Sequence, residues 1–219
     1  MQIKQSIAKI LVRLGVSANL LTAAGLLMCL LSAWLVIEKS FFLAGGTLLL
    51  GGLCDLMDGA VARAAGKNSA FGGILDSSLD RYGDGAVLGA VIIYCAQIAQ
   101  YLWAALALSA LLGSFAISYV RARAECETDH CRVGFWERGE RLVLISLALL
   151  LGNLGAALWI LGVGAHWTVF QRLAFSYHQT EVLAPKQAPF YLRSSARDTF
   201  FYFFKATLLV ALLLFWRPA

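Results

Sequence analysis

Apolar runs recur along this chain at lengths that a membrane explains. No charged residue interrupts Leu20 to Ile37, and after Glu38, Lys39 and Ser40 a second run extends from Phe41 to Cys54. Hydrocarbon offers the backbone no hydrogen-bond partner, so each spanning segment has to satisfy its own N–H and C=O groups, as a helix does. Only 14% of the 219 residues are charged, 60% are hydrophobic and the mean hydropathy is +0.73. A soluble domain of this size carries about a quarter charged residues, so a polytopic membrane protein is expected.

The pattern predicts an all-α chain. Helices are expected over Leu20–Ile37, from Phe41 to about Arg63, from Phe71 to about Ala99 and from Tyr101 to about Arg123, with a charged loop from Glu125 to Arg138. Gly152-Asn153 divides the next apolar region into two short, partly embedded helices, Arg141–Leu151 and Leu154–Phe170; a single span ending near Ala165 is the other reading. These segments make a six-transmembrane-helix core over residues 16–175. Residues 1–15, with Lys4, Lys9 and Arg13 among apolar residues, read as an amphipathic helix on the membrane surface, since no small-residue cleavage site follows. Residues 176–219 read as a polar linker with Pro185 and Pro189, then an apolar segment, Thr199–Trp216, that either spans the membrane as an extra helix or lies in its interface.

Charge sets the orientation. Lys4, Lys9, Arg13, Arg63, Lys67, Arg121, Arg123, Arg138, Arg141, Arg172 and Arg197 fall on one side of this topology, whereas the opposite connections hold little beyond Glu38 and Lys39. The positive-inside rule puts the basic side in the cytoplasm, which makes the chain a multi-pass protein of the inner membrane. The net charge of +5 follows from this asymmetry, and no motif for nucleic acid accompanies it. Five cysteines follow no disulfide framework. Cys126 and Cys131 flank Asp129 and His130, but that spacing is a poor match to a zinc site.

Against this apolar background four carboxylates stand out: Asp55, Asp58, Asp76 and Asp80. An ionised Asp at membrane depth costs several kcal/mol unless compensated, which marks it as functional. Asp55 and Asp58 are three apart and Asp76 and Asp80 four apart, so each pair leaves one face of its helix. Two such faces brought together make an all-oxygen cage suited to a hard divalent cation such as Mg2+. Gly59 lies one turn after Asp55, where a missing side chain lets a bulky anion near the backbone. Arg63 follows by another turn with a fork suited to phosphate. Gly72 and Gly73 open the next helix beside the acids. Metal, glycine clearance and arginine together describe a pyrophosphate site.

The run Asp55-x-x-Asp58-Gly59-x-x-Ala62-Arg63, continued by Gly72, Asp76 and Asp80, resembles the signature of the CDP-alcohol phosphatidyltransferases at every fixed position. The resemblance extends over roughly the first 175 residues and implies the six-helix core, a homodimer, and transfer of a phosphatidyl or archaetidyl group from a CDP-linked lipid to an alcohol, with release of CMP. It further implies that Asp55, Asp58, Asp76 and Asp80 hold one or two ions of Mg2+ or Mn2+, with Asp80 also the general base. By the same likeness Asp55, Gly59, Ala62, Arg63 and Gly72 lie along the nucleotide. Ser118, Arg121, Arg123, Arg141 and Arg172 form a basic group suited to an acceptor that itself carries a phosphate. Together with Leu75–Gly85 they look most like the phosphatidylinositol phosphate synthase branch, which would make the acceptor inositol 1-phosphate. Arg121, where that branch often has Lys, Gly139, where it often has Pro, and the tail after Arg172 depart from it.

Two alternatives remain at this point. Glycerol 3-phosphate is the neighbouring acceptor, giving phosphatidylglycerophosphate. A divalent-cation transporter would use the acids as its pathway, yet has no need of Gly59 and Arg63. Asp84, two turns beyond Asp76, reads as an ion-pair partner for Arg63, Arg81 or another arginine. Gly45, Gly46, Gly51 and Gly52 read as sites of close helix packing.

Overall fold

The computed structural model describes residues 2–66, 69–128, 131 and 133–182. Its helices are α1 (Gln2–Arg13), α2 (Ala18–Ile37), α3 (Phe41–Ala64), α4 (Ala70–Gln97), α5 (Tyr101–Ala124), α6 (Arg138–Leu151) and α7 (Leu154–Tyr177), followed by a π-helical turn, His178–Val182. No strand occurs among the described residues. Among the described residues four helices can cross a membrane by length and composition: α2, α3, α5 and the stretch Leu154–Thr180. At 28 residues α4 is long enough, but it carries Asp76, Asp80, Arg81 and Asp84 in its first half. The expected segment Thr199–Trp216 lies outside the described residues.

The expected elements are present, with shifted ends that have local causes. Ser69 caps α4 by accepting the Gly72 N–H at 2.9 Å. α6 starts at Arg138 rather than Arg141 because Glu137 and Glu140 form a capping box, each side chain taking a backbone N–H of the other. Gly152 ends α6 in the left-handed conformation (φ +69°), confirming two helices rather than one span. Only the first of the two is short. α7 continues beyond Phe170 to Tyr177 because the Arg172 guanidinium is absorbed: Nε donates to the Val133 carbonyl (2.9 Å) and Nη1 to that of Ile117 (2.6 Å).

Small residues set the packing. A Cβ on Gly51 would meet the Gly25 carbonyl at 3.2 Å, one on Gly45 the Ser146 carbonyl at 2.7 Å, and one on Gly52 a Leu142 methyl at 2.8 Å. These positions bring α2 and α6 against α3. Gly46 departs from the expectation and faces open space. The Ser32 hydroxyl adds a hydrogen bond to the Ala44 carbonyl at 2.8 Å between α2 and α3. α5 and α7 meet at Gly113, whose added Cβ would fall 2.6 Å from that of Ala165. Gly113→Leu is accordingly expected to force these helices apart and cost about 1–3 kcal/mol, lowering Tm in detergent, with Gly46→Leu as the tolerated control; equal Tm for both would refute this packing argument.

α2 packs against both α3 and α4, while α3 and α4 barely meet. The gap between them lies at the end where α3 finishes and α4 begins, lined by Asp58, Gly59, Ala62 and Arg63 of α3 and Gly72, Gly73 and Asp76 of α4. α1 closes one flank of that end, burying Ala8 against Ala60 and Val61 of α3.

Candidate active site

The last turns of α3 and the first turns of α4 point their acids into this gap. Asp55, Asp76 and Asp80 each offer an oxygen, and these oxygens lie within 4.8 Å of one another. The Asp76 Oδ1 atom is buried and lacks a hydrogen-bond partner. Convergent hard donors with one buried oxygen left unmatched fit a divalent cation. Asp58 stands beside this trio but is turned otherwise: the Thr22 hydroxyl of α2 donates to its Oδ2 at 2.8 Å, and the Gly59 N–H donates to its Oδ1.

A guanidinium is bound to the same acids. Arg138 Nη1 lies 2.8 Å from Asp55 Oδ2 and 2.7 Å from Asp80 Oδ1, and its Nε lies 3.5 Å from Asp84 Oδ1. Asp84 also pairs with Arg141, Oδ2 to Nη2 at 2.9 Å, so its arginine partners come from α6 rather than being Arg63 or Arg81.

Two cavities adjoin at the acids. One, of about 320 Å3, is lined by Asp58, Gly59, Ala62, Arg63, Gly72 and Asp76, with Ala18, Asn19 and Thr22 of α2 closing it. A Cβ on Gly59 would find only the Arg63 guanidinium within 4 Å, so the helix backbone there is open to a ligand. The second cavity, about 460 Å3, is lined by Asp76, Asp80, Ser118, Arg121, Arg138, Arg141 and Arg172 among others. Asp76 belongs to both.

Most of the residues singled out in the sequence therefore meet here, with two departures from their expected places. Asp55 faces Arg138 rather than lining the first cavity. Arg123 lines neither cavity; its exposed side chain pairs with Glu127 at 3.0 Å. Arg121 and Arg123 are two apart, and residues at that spacing leave opposite sides of a helix. Arg141 and Arg172 reach the second cavity only in part, since both are buried and bonded to backbone carbonyls, Arg141 to that of Trp136 at 3.1 Å.

The model of the CDP-alcohol phosphatidyltransferase family matches residues 15–171. The chain belongs to that family. It is thus a transferase, which answers the transporter alternative. A phosphatidylinositol phosphate synthase of Mycobacterium tuberculosis, solved with CDP-DAG bound, superposes with a TM-score of 0.73 at 28% identity, over 81% of this chain and 94% of that one. The same enzyme with manganese and citrate gives 0.72 over 80% and 88%. Among curated relatives, an archaetidylinositol phosphate synthase of Pyrococcus horikoshii is 35% identical over 77% of this chain and 88% of its own length. A phosphatidylinositol phosphate synthase of Corynebacterium glutamicum is 35% identical over 80% and 84%.

Three functional candidates escaped the sequence reading. Arg138 was legible, being one turn before Arg141 on the same helix face. Ser69 was legible as a cap three residues before Gly72. Thr22 left no sequence signal, because α2 packing alone brings it to Asp58.

Proposed function

We propose that this protein transfers the phosphatidyl group of CDP-diacylglycerol, or the archaetidyl group of its archaeol counterpart, to a hydroxyl of inositol 1-phosphate, with release of CMP. The observation carrying this reading is the adjacency of the two cavities across Asp76, one with glycine clearance and Arg63, the other ringed by arginines around Asp80. The first suits a nucleoside diphosphate and the second a small phosphorylated alcohol. The activities named for the relatives above agree with it.

In this reading Asp55, Asp58, Asp76 and Asp80 hold one or two ions of Mg2+ or Mn2+. Such an ion, when bound, neutralises the diphosphate and stabilises charge growing on the leaving phosphate. Gly59, Ala62, Arg63 and Gly72 seat the nucleotide with its diphosphate toward Asp76. Asp80 removes the acceptor proton as the hydroxyl oxygen attacks the lipid-side phosphorus. The bond from that phosphorus to the bridging oxygen breaks, and CMP leaves with the electron pair. Arg121, Arg138, Arg141 and Arg172 hold the acceptor phosphate, so much of the rate comes from positioning. The hydroxyl of Ser118, on the same wall, supplies a further contact.

The same reading places six helices, α2–α7, across the inner membrane with the acids at the cytoplasmic face, α1 on that surface, and two copies of the chain in a dimer. α4 crosses despite its charges because they face the site and pair with α6.

An acceptor screen tests the proposal. Purified protein with CDP-diacylglycerol and Mg2+ is expected to release CMP with inositol 1-phosphate and to yield a product of matching mass; preference for glycerol 3-phosphate would reassign the acceptor. Arg121→Ala, at a half-exposed position paired with Glu125 at 2.9 Å, is expected to raise the acceptor KM about tenfold with little change for the CDP-lipid. Equal shifts in both would remove Arg121 from the acceptor site.

A further inference from the structure

Asp84 belongs neither to the carboxylates that converge on a cation nor to the lining of the second cavity. It nevertheless touches two of that cavity's arginines. Oδ2 accepts a hydrogen bond from Arg141 Nη2 at 2.9 Å, whereas Oδ1 forms an ion pair with Arg138 Nε at 3.5 Å without a hydrogen bond. Both arginines belong to α6 and Asp84 to α4, one turn beyond Asp80, so this carboxylate ties the two walls together. Arg141 is fixed further by its bond to the Trp136 carbonyl. A small cavity that Asp84 does line holds about 20 Å3, room for roughly one water and no ligand.

From this arrangement we propose that Asp84 is a positioning residue for acceptor selectivity, one that sets the guanidinium plane of Arg141 for the acceptor phosphate. The inference rests on the phosphorylated-acceptor reading above. A guanidinium is a flat fork, and a carboxylate bonded to one edge determines where its other N–H groups point. Asp55 and Asp80 share Arg138 Nη1 and also belong to the cation-holding group. Asp84 lies outside that group, and its hydrogen bond goes to Arg141 instead. Support of this kind, behind the groups that touch a ligand, typically decides affinity by factors of about 10–100.

The test uses the full chain in detergent with Mg2+, comparing Asp84→Asn, Asp84→Glu, Arg141→Gln and the double variant Asp84→Asn/Arg141→Gln. Asp84→Asn is expected to raise the acceptor KM at least about tenfold, with the CDP-lipid KM within about twofold and kcat within about threefold. Asp84→Glu, which keeps the charge, should recover part of that loss. A general structural role would lower kcat and shift both KM values together, and that pattern overturns the proposal. Should Asp84→Asn not fold, the double variant decides, since it removes both members of the hydrogen-bonded pair. Its acceptor KM should equal that of Arg141→Gln alone to within about twofold, and a further loss on top overturns the proposal. Calorimetric binding of inorganic phosphate separates this inference from the acceptor reading. If inositol 1-phosphate proves not to be the acceptor, an affinity for phosphate about tenfold weaker in Asp84→Asn still supports the inference. Unchanged affinity, or no phosphate binding by the wild type, overturns it.

Discussion

Asp80→Asn is expected to reduce turnover by a factor of about 10²–10⁴, the range typical of a lost general base, while the protein continues to bind CDP-lipid. The two effects separate because Asp80 lines the second cavity and is not among the residues lining the first. Asn matches the volume of Asp and keeps one oxygen, but cannot accept the acceptor proton. It also weakens the contact with Arg138, now 2.7 Å from Asp80 Oδ1, so acceptor affinity should fall modestly as well. Single-turnover CMP release and equilibrium binding of CDP-diacylglycerol measure these quantities independently. Wild-type turnover would remove Asp80 as the base. Loss of CDP-lipid binding together with turnover would instead make it chiefly part of the diphosphate site.

Why so much of the site was legible in the sequence follows from helix geometry. Carboxylates at i, i+3 and i, i+4 must share a face, and a gap of a few residues between α3 and α4 forces the two acidic faces to one end of the molecule. The arginines were harder. Arg121 and Arg123 look equivalent as a basic pair, yet helical rotation sends one to the cavity and the other to Glu127. Arg138 looked like the edge of a charged loop until the Glu137–Glu140 capping box drew it into α6 and aimed it at the acids. The apolar run stops at Phe170, before Gln171 and Arg172, yet α7 continues to Tyr177. Carbonyls of residues 39 and 55 positions away absorb that arginine, and no local pattern announces partners so distant. Thr22 is the limiting case, a polar contact that exists only because α2 wedges between α3 and α4.

The largest combined effect is expected at Asp76, the residue common to both cavities and the owner of a buried oxygen without a hydrogen-bond partner. Asp76→Asn should weaken Mn2+ binding by at least about 100-fold, since it removes one of three convergent carboxylates and the charge that a divalent ion needs most. Turnover should fall by about 10³ or more, as both substrates are affected together. Stability should move the other way. Without metal, Asp76 is a carboxylate crowded against Asp55 and Asp58, and replacing it with a neutral amide relieves like-charge repulsion at a half-buried place. The Tm of Asp76→Asn in chelator should therefore equal or exceed that of the wild type. With Mn2+ added the order reverses. At a concentration about 100 times Kd the wild type gains about 2.7 kcal/mol from binding, whereas the variant gains almost nothing. Thermal unfolding with and without Mn2+, beside the electron-spin resonance of free Mn2+, checks both halves. A variant that is less stable in chelator and still stabilised by Mn2+ would mean that Asp76 supports the helices rather than the ion, and that the two cavities meet at a structural carboxylate.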